Sequence, residues 1–242
     1  NLNGGTEADI FIFAAGTVHT GKINGGGGTD TLDLSALTGR TVTLTGTGST
    51  DGFNGLDVSV SGGFNNINTL VGTSGVDMLV GAPVNGIFEL DGSNRYYFGA
   101  NSLGFNGFET LTGGSANDTF AFAGTYTFTG SLNGGAGTDS FDYSAYDSAI
   151  TLNLQTGKIS ALNGSFSGME GIIGSASTLD TITGINTGAV YNITGYGTGT
   201  INGSFSFNSI ENLIGGSGTD TLSYSGYGTA ITWNLETGSI SG

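Results

Sequence analysis

A chain of 242 residues is long enough for one full domain or an elongated array of small units, and this one contains 48 glycines and a single proline, Pro83. Glycine at that level without a G-X-Y period excludes a collagen helix, and a 36% hydrophobic content excludes a disordered low-complexity tract. Nineteen carboxylates stand against only Lys22, Arg40, Arg95 and Lys158, a formal net charge of −15, which excludes nucleic acid as a partner and leaves the chain repelled by anionic membrane surfaces.

There is no cysteine, so disulfides, thiol chemistry and an all-Cys zinc site are excluded. No apolar run approaches the roughly 20 residues of a membrane-spanning helix, so no transmembrane segment is expected. The chain opens at Asn1 without an initiator Met, which suggests a processed form or a piece of a longer protein.

Taken in chain order, the predicted elements are glycine-rich turns ending in Asp, each followed by a short strand. The first turn, GGTEAD, ends at Asp9 and leads into Phe11 and Phe13. GGGGTD ends at Asp30 and leads into Leu32 and Leu34. A Gly-rich stretch, Gly46 to Gly55, reads as roughly six extra residues before GTSGVD ends at Asp77. GGSAND and GGAGTD follow, ending at Asp118 and Asp139, with Phe120 and Phe122 after the first and Phe141 and Tyr143 after the second. SASTLD ends at Asp180 and GGSGTD at Asp220. Successive Asp residues are 21, 47, 41, 21, 41 and 40 apart, close to one or two units of about 20.5 apart from the second gap.

Seven residues before each Asp stand Leu2, Ile23, Leu70, Leu111, Leu132, Ile173 and Leu213, every one a large aliphatic. Two residues after stand Phe11, Leu32, Leu79, Phe120, Phe141, Ile182 and Leu222. Four residues after, apolar side chains alternate with Gly81 and Gly184. Apolar residues at plus two and plus four are the period of a strand with one face inward. Asn-Gly steps such as 24–25, 133–134 and 202–203 suit positive-φ turns, and their regular spacing argues against the hairpins of a meander.

These patterns predict an all-β fold, a parallel β-helix or β-solenoid of about 12 coils of about 20 residues, right-handed by the default for parallel crossovers. At about 4.8 Å per coil the rod is on the order of 60 Å long. A longer period divides the single domain, 1–242, into five-coil blocks at 1–109 and 110–211 and a partial third block at 212–242. Burial of an inward Leu or Phe contributes roughly 1.5–3 kcal/mol.

The run GG-x-G-T-D-T-L-D-Y-S, followed by A-I-T-x-N-L-x-T-G and S-I-E-N-L-I-G-G, resembles the repeat arrays of secreted bacterial β-solenoid proteins. These are adhesins of the filamentous-haemagglutinin type and proteins related to the RTX calcium-binding repeats; the likeness spans nearly the whole chain and is strongest at 130–184 and 205–242. The RTX likeness implies Ca²⁺ at Asp30, Asp118, Asp139 and Asp220, although RTX repeats place two nonapeptides in each coil where this chain offers one. The alternative reading is that these carboxylates accept hydrogen bonds from turn amides and fix the register. Glu109, Glu170 and Glu211, with Asn68 at the equivalent place, form a second column, read as a turn or edge hydrogen bond. His19, the one histidine, reads as a surface residue, the sequons at Asn117, Asn163, Asn192 and Asn202 as chance matches, and the Thr-Val-Thr-Leu-Thr run at 41–45 as too irregular for an ice-binding face.

No catalytic residue or organic cofactor is assigned. The first functional expectation is an extracellular, cell-surface structural or adhesive protein, a filament, sheath or adhesin stalk. Such a protein self-associates end to end into fibres, with surface glycans or host or neighbouring cells as further partners. The alternatives are a calcium-dependent RTX-like module of a secreted protein and a carbohydrate-active β-helix enzyme; the latter needs a carboxylate cluster, or a basic residue with Ca²⁺, in a loop-shaped groove.

Overall fold

The computed structural model describes residues 1–234 and 239–241, and among these there is no helix. Short strands assemble into two tall sheets of nine and thirteen strands, a four-stranded sheet and two strand pairs, mostly with parallel neighbours. The architecture is therefore all-β and solenoid-like.

Equivalent side chains stack from layer to layer. One column runs Val42, Leu79, Leu111, Leu132 and Phe166. A second runs Phe88, Phe120, Phe141, Ile172 and Phe207. A third runs Phe11, Leu32, Leu70 and Phe105. Most of these residues are fully enclosed. Aromatic rings lie flat on one another within the columns: Phe88 on Phe120 with centroids 4.9 Å apart, and Phe122 on Tyr143 at 4.6 Å. A single layer is only one strand deep, so its stability comes from its neighbours.

The columns differ from the simple sequence register in an instructive way. The position seven before one Asp stacks on the position two after another: Leu32 lies against Leu70, Leu79 against Leu111, and Ile182 against Leu213. Ile172 takes the inward place expected of Ile173, because the turn from Gly174 to Asp180 carries one residue more than the turn from Gly134 to Asp139. Leu2 and Leu222, in outer layers, are 46% and 44% exposed.

Gly81 and Gly184, the gaps in the plus-four column, are filled by tyrosines. A methyl on Gly81 would stand 3.3 Å from the Tyr96 hydroxyl, and one on Gly184 would overlap the hydroxyl of Tyr191. Tyr96 accepts from the Ala82 amide at 3.0 Å and Tyr191 donates to the Ile214 carbonyl at 3.2 Å, so each buried hydroxyl has a partner.

The expectation of uniform coils of about 20 residues is corrected. Uninterrupted coils repeat every 21 residues, as from Leu111 to Leu132 and from Phe120 to Phe141. Elsewhere the repeat is longer, because the chain makes antiparallel meanders within the sheets. Thr41–Thr47, Phe53–Asp57 and Val60–Ile67 form one; Ile87–Leu90, Arg95–Phe98 and Asn101–Asn106 form another. Val190–Gly195, Thr198–Ile201 and Phe205–Asn208 form a third, and Thr151–Asn153 with Lys158–Ile159 a shorter one. The first strand of each three-stranded meander pairs with the coil that follows it in sequence and the last with the coil that precedes it, so each meander fills three layers.

The Gly-rich stretch at 46–55 is thus part of a three-stranded meander, and not a six-residue insertion. The reading of Asn-Gly steps is corrected likewise. Asn24–Gly25 lies inside the strand Ile23–Gly26, whereas Asn202 and Gly203, with φ of 52° and 70°, make a hairpin turn in which both residues have positive φ.

Candidate functional site: a carboxylate ladder in the glycine turns

The aspartates that close the glycine turns point inward along the stack, not out to solvent. Asp30, Asp77, Asp118, Asp139 and Asp180 are all at most 1% exposed, and Asp220 is half-buried. One oxygen of each accepts a hydrogen bond from a backbone amide of the adjoining layer. Asp30 accepts from Asp9 N–H at 2.9 Å, Asp118 from Gly86 at 2.8 Å and Asp139 from Asp118 at 2.7 Å. Asp180 accepts from Ile150 at 2.7 Å, Asp220 from Ala189 at 2.9 Å, and Asp77 from Arg40.

The second acidic column continues the same ladder. Glu109 accepts from the Asp77 amide at 2.9 Å, Glu170 from Asp139 at 2.8 Å and Glu211 from Asp180 at 3.3 Å. Asn68 does the same for Asp30 at 2.8 Å. In each of these ten rungs among the described residues, the earlier layer donates its amide and the later layer supplies the side-chain oxygen. Hydrogen bonds to a charged acceptor contribute roughly 1.5–3 kcal/mol each, and an unmet buried amide would cost a similar amount.

The motif's first glycine follows from this geometry. A methyl on Gly134 would overlap the Gly168 carbonyl oxygen of the next layer and stand 2.5 Å from Asp139 Oδ2. The same two kinds of oxygen, a next-layer carbonyl and the turn's own Asp Oδ2, crowd Gly4, Gly25, Gly113 and Gly174. Layers at strand spacing leave room there for hydrogen only.

The second oxygen divides the set. Asp118 Oδ2 accepts from Gly114 N–H at 2.6 Å, Asp77 Oδ2 from Thr73 at 2.7 Å and Asp180 Oδ2 from Ser175 at 2.7 Å. Asp30 Oδ2 and Asp139 Oδ2 are buried without a hydrogen-bond partner. Burial pushes the Asp118 carboxyl up to about 6, against the lowering effect of the Gly86 and Gly114 amides and with a further rise from the charge of Asp139. Burial raises Asp30 and Asp139 as well, each partly offset by the amide it holds.

A scan of protein-family models and a search of curated protein sequences find no match. The site is therefore read from its chemistry alone.

Of the four predicted Ca²⁺ residues, the structure places Asp118 against Asp139 on adjacent layers, and Asp30 against Asp9 in the equivalent arrangement. Asp220 lies in a separate rung. Calcium takes six to eight oxygens. Asp118 has both carboxylate oxygens on amides, and among the described residues no three His, Asp or Glu side chains converge. The carboxylate side chains alone supply fewer oxygens than calcium takes.

His19 is partly buried with its Nε2 unpartnered, and its backbone bridges to Val60. Asn117 is exposed and accepts from Thr138 N–H at 2.9 Å. Thr41 and Thr43 face outward while Val42 and Leu44 are enclosed. Three features were missed in the sequence. Arg40 forms a bidentate pair with the buried Asp57, at 2.8 and 3.2 Å. An amide ladder links Asn66 to Asn24 at 2.6 Å and Asn24 to Asn3 at 2.7 Å. Asn85 and Gln155 accept from later-layer amides at Asn117 and Asn186, opposite in sense to the carboxylate ladder. Only the second carried a sequence signal, the Asn before glycine at Asn3 and Asn24.

Proposed function

We propose that this chain is a structural element of an extracellular, cell-surface assembly, a filament, sheath or adhesin stalk, built as a right-handed solenoid. The observation that carries the reading is the use made of the recurring motif. Its carboxylates and glycines serve contact between layers, holding neighbouring amides and permitting close approach. A motif devoted to stacking suits a protein whose work is to span distance and bear load.

End-to-end association follows from the same chemistry. The rung joining Asp9 to Asp30 uses the same atoms as the rung joining Asp118 to Asp139, so layers are interchangeable and a layer of one copy can seat on that of another. Outward polar residues such as Thr41, Ser165 and Ser167 offer hydroxyls to surface glycans or neighbouring cells. The protein acts in this reading without catalysis. Negative-stain microscopy of the purified chain tests it: long rods of uniform width are expected, and only isolated short particles would overturn it.

A calcium-dependent module is the second reading, and it rests on the two uncommitted oxygens of Asp30 and Asp139. A calcium titration of the unfolded chain separates the two, since a module of that kind gains β structure only with the ion present.

A further inference from the structure

Asp30 and Asp139 occupy equivalent places in the two blocks, each closing a turn one uninterrupted 21-residue coil after another Asp. In both, Oδ1 takes the preceding layer's amide and Oδ2 is enclosed without a donor. The cause lies in the turn backbone. Asp118 is reached by the Gly114 amide, and Asp180 by that of Ser175, residues with negative φ. At the same place Gly26 and Gly135 adopt φ of 107° and 96°, and Gly135 donates to Asn133 instead.

The orphan oxygen also faces the wrong neighbour for a carboxylate. A methyl on Gly25 would meet both Asp30 Oδ2 and the Asn66 carbonyl oxygen; one on Gly134 would meet Asp139 Oδ2 and the Gly168 carbonyl oxygen. Two acceptors therefore border one small space, and a proton on Oδ2 converts one of them into a donor.

We propose that Asp30 and Asp139 hold a proton on Oδ2 in the folded chain at pH values where an exposed carboxyl is already ionised, which makes their layers a pair of latches that tighten in acid and loosen as the pH rises. The charged groups around them favour that state. Asp30 faces Asp9 from the preceding layer and Asp51 from the neighbouring meander, with the neutral Asn68 above. Asp139 faces Asp118 below and Glu170 above. No cation offsets these carboxylates: the one salt bridge among the described residues is Arg40 with Asp57. Burial acts in the same direction at both residues.

The test is infrared spectroscopy of the folded chain across about pH 4 to 8 with a chelator present, alongside thermal unfolding over the same range. In Asp118→Asn a carboxylic-acid carbonyl band is expected to persist above the range in which exposed carboxyls ionise, and adding Asp30→Asn/Asp139→Asn removes it. Asn keeps the Oδ1 acceptor and places an N–H where the acid O–H stood. The wild-type melting temperature should fall as pH rises, with a shallower fall in the double variant. Absence of any acid band above the range in which exposed carboxyls ionise in the wild type, or its complete loss in Asp118→Asn alone, overturns the proposal. A melting temperature raised by Ca²⁺ at pH 8 in the wild type but not in the double variant also overturns it, since a cation would then be the neutralising partner.

Discussion

Replacing Gly134 by Ala tests whether close approach between layers, rather than backbone freedom, fixes the turn glycines. Gly134 has no positive φ, so the backbone itself tolerates alanine. The added methyl would overlap the Gly168 carbonyl oxygen and press on Asp139 Oδ2. Relief requires the layers to part, which loosens Gly134 N–H to Ser167 and Leu132 N–H to Ser165, both 2.9 Å, and disturbs the 2.7 Å rung from Asp118 to Asp139. At about 1 kcal/mol for each backbone bond and about 2 for the charged one, the loss is about 4 kcal/mol. For a chain of this length that is a fall in melting temperature of roughly 10 °C. Gly5→Ala is the control, since a methyl there meets nothing within 4 Å and Gly5 too has no positive φ. It should leave stability unchanged or raise it by about 0.5 kcal/mol through the unfolded chain. Thermal unfolding followed by circular dichroism reads both variants. Equal stability of the two would refute the reasoning.

Gly184→Ala should destabilise by overlapping the Tyr191 hydroxyl, and Tyr191→Phe in the same chain should recover part of the loss; additive losses in thermal melts would contradict the pairing. Arg40→Ala leaves Asp57 buried and unpaired except for Ser59, so a loss of about 3–5 kcal/mol is expected, with a smaller loss when Asp57→Ala accompanies it in a double-mutant cycle. The Asp118 carboxyl, at about 6 in the folded chain against an ordinary 3.8, binds more protons folded than unfolded between those values. Its contribution is therefore complete below about pH 4 and lost as pH rises through 6, at most about 3 kcal/mol, and Asp118→Asn should flatten urea-unfolding stability across that window.

Much of the fold was legible because stacking leaves a column in the sequence. The aliphatics and aromatics around each turn Asp appear in register, and inward burial of Leu32, Leu79, Phe120 and Phe141 follows from the period-2 pattern. The meanders were not legible, because a strand that reverses direction keeps the same alternation: Phe53 and Tyr96 are buried from antiparallel strands whose local pattern is that of parallel ones. Distinguishing them needs the partner strand, which is 8 residues away for the antiparallel pair Phe88 and Tyr96 but 41 for the parallel pair Ile23 and Phe64. In the site, the acidic columns were visible and their amide-binding role was among the readings. The difference between Asp118 and Asp139 rests on a glycine whose role was not read: Gly137, like Gly28 in the Asp30 turn, has positive φ, 133° and 117°, where the Asp118 turn has Ala116.

The ladder itself is tested most directly by amide hydrogen exchange at single-residue resolution in the wild type and in Glu170→Ala. The Asp139 amide, held by Glu170 at 2.8 Å, should be protected in the wild type and exchange rapidly in the variant, while the Asp118 amide, held by Asp139, keeps its protection. An Asp139 amide that exchanges freely in the wild type, or stays equally protected without the Glu170 carboxylate, would contradict the account.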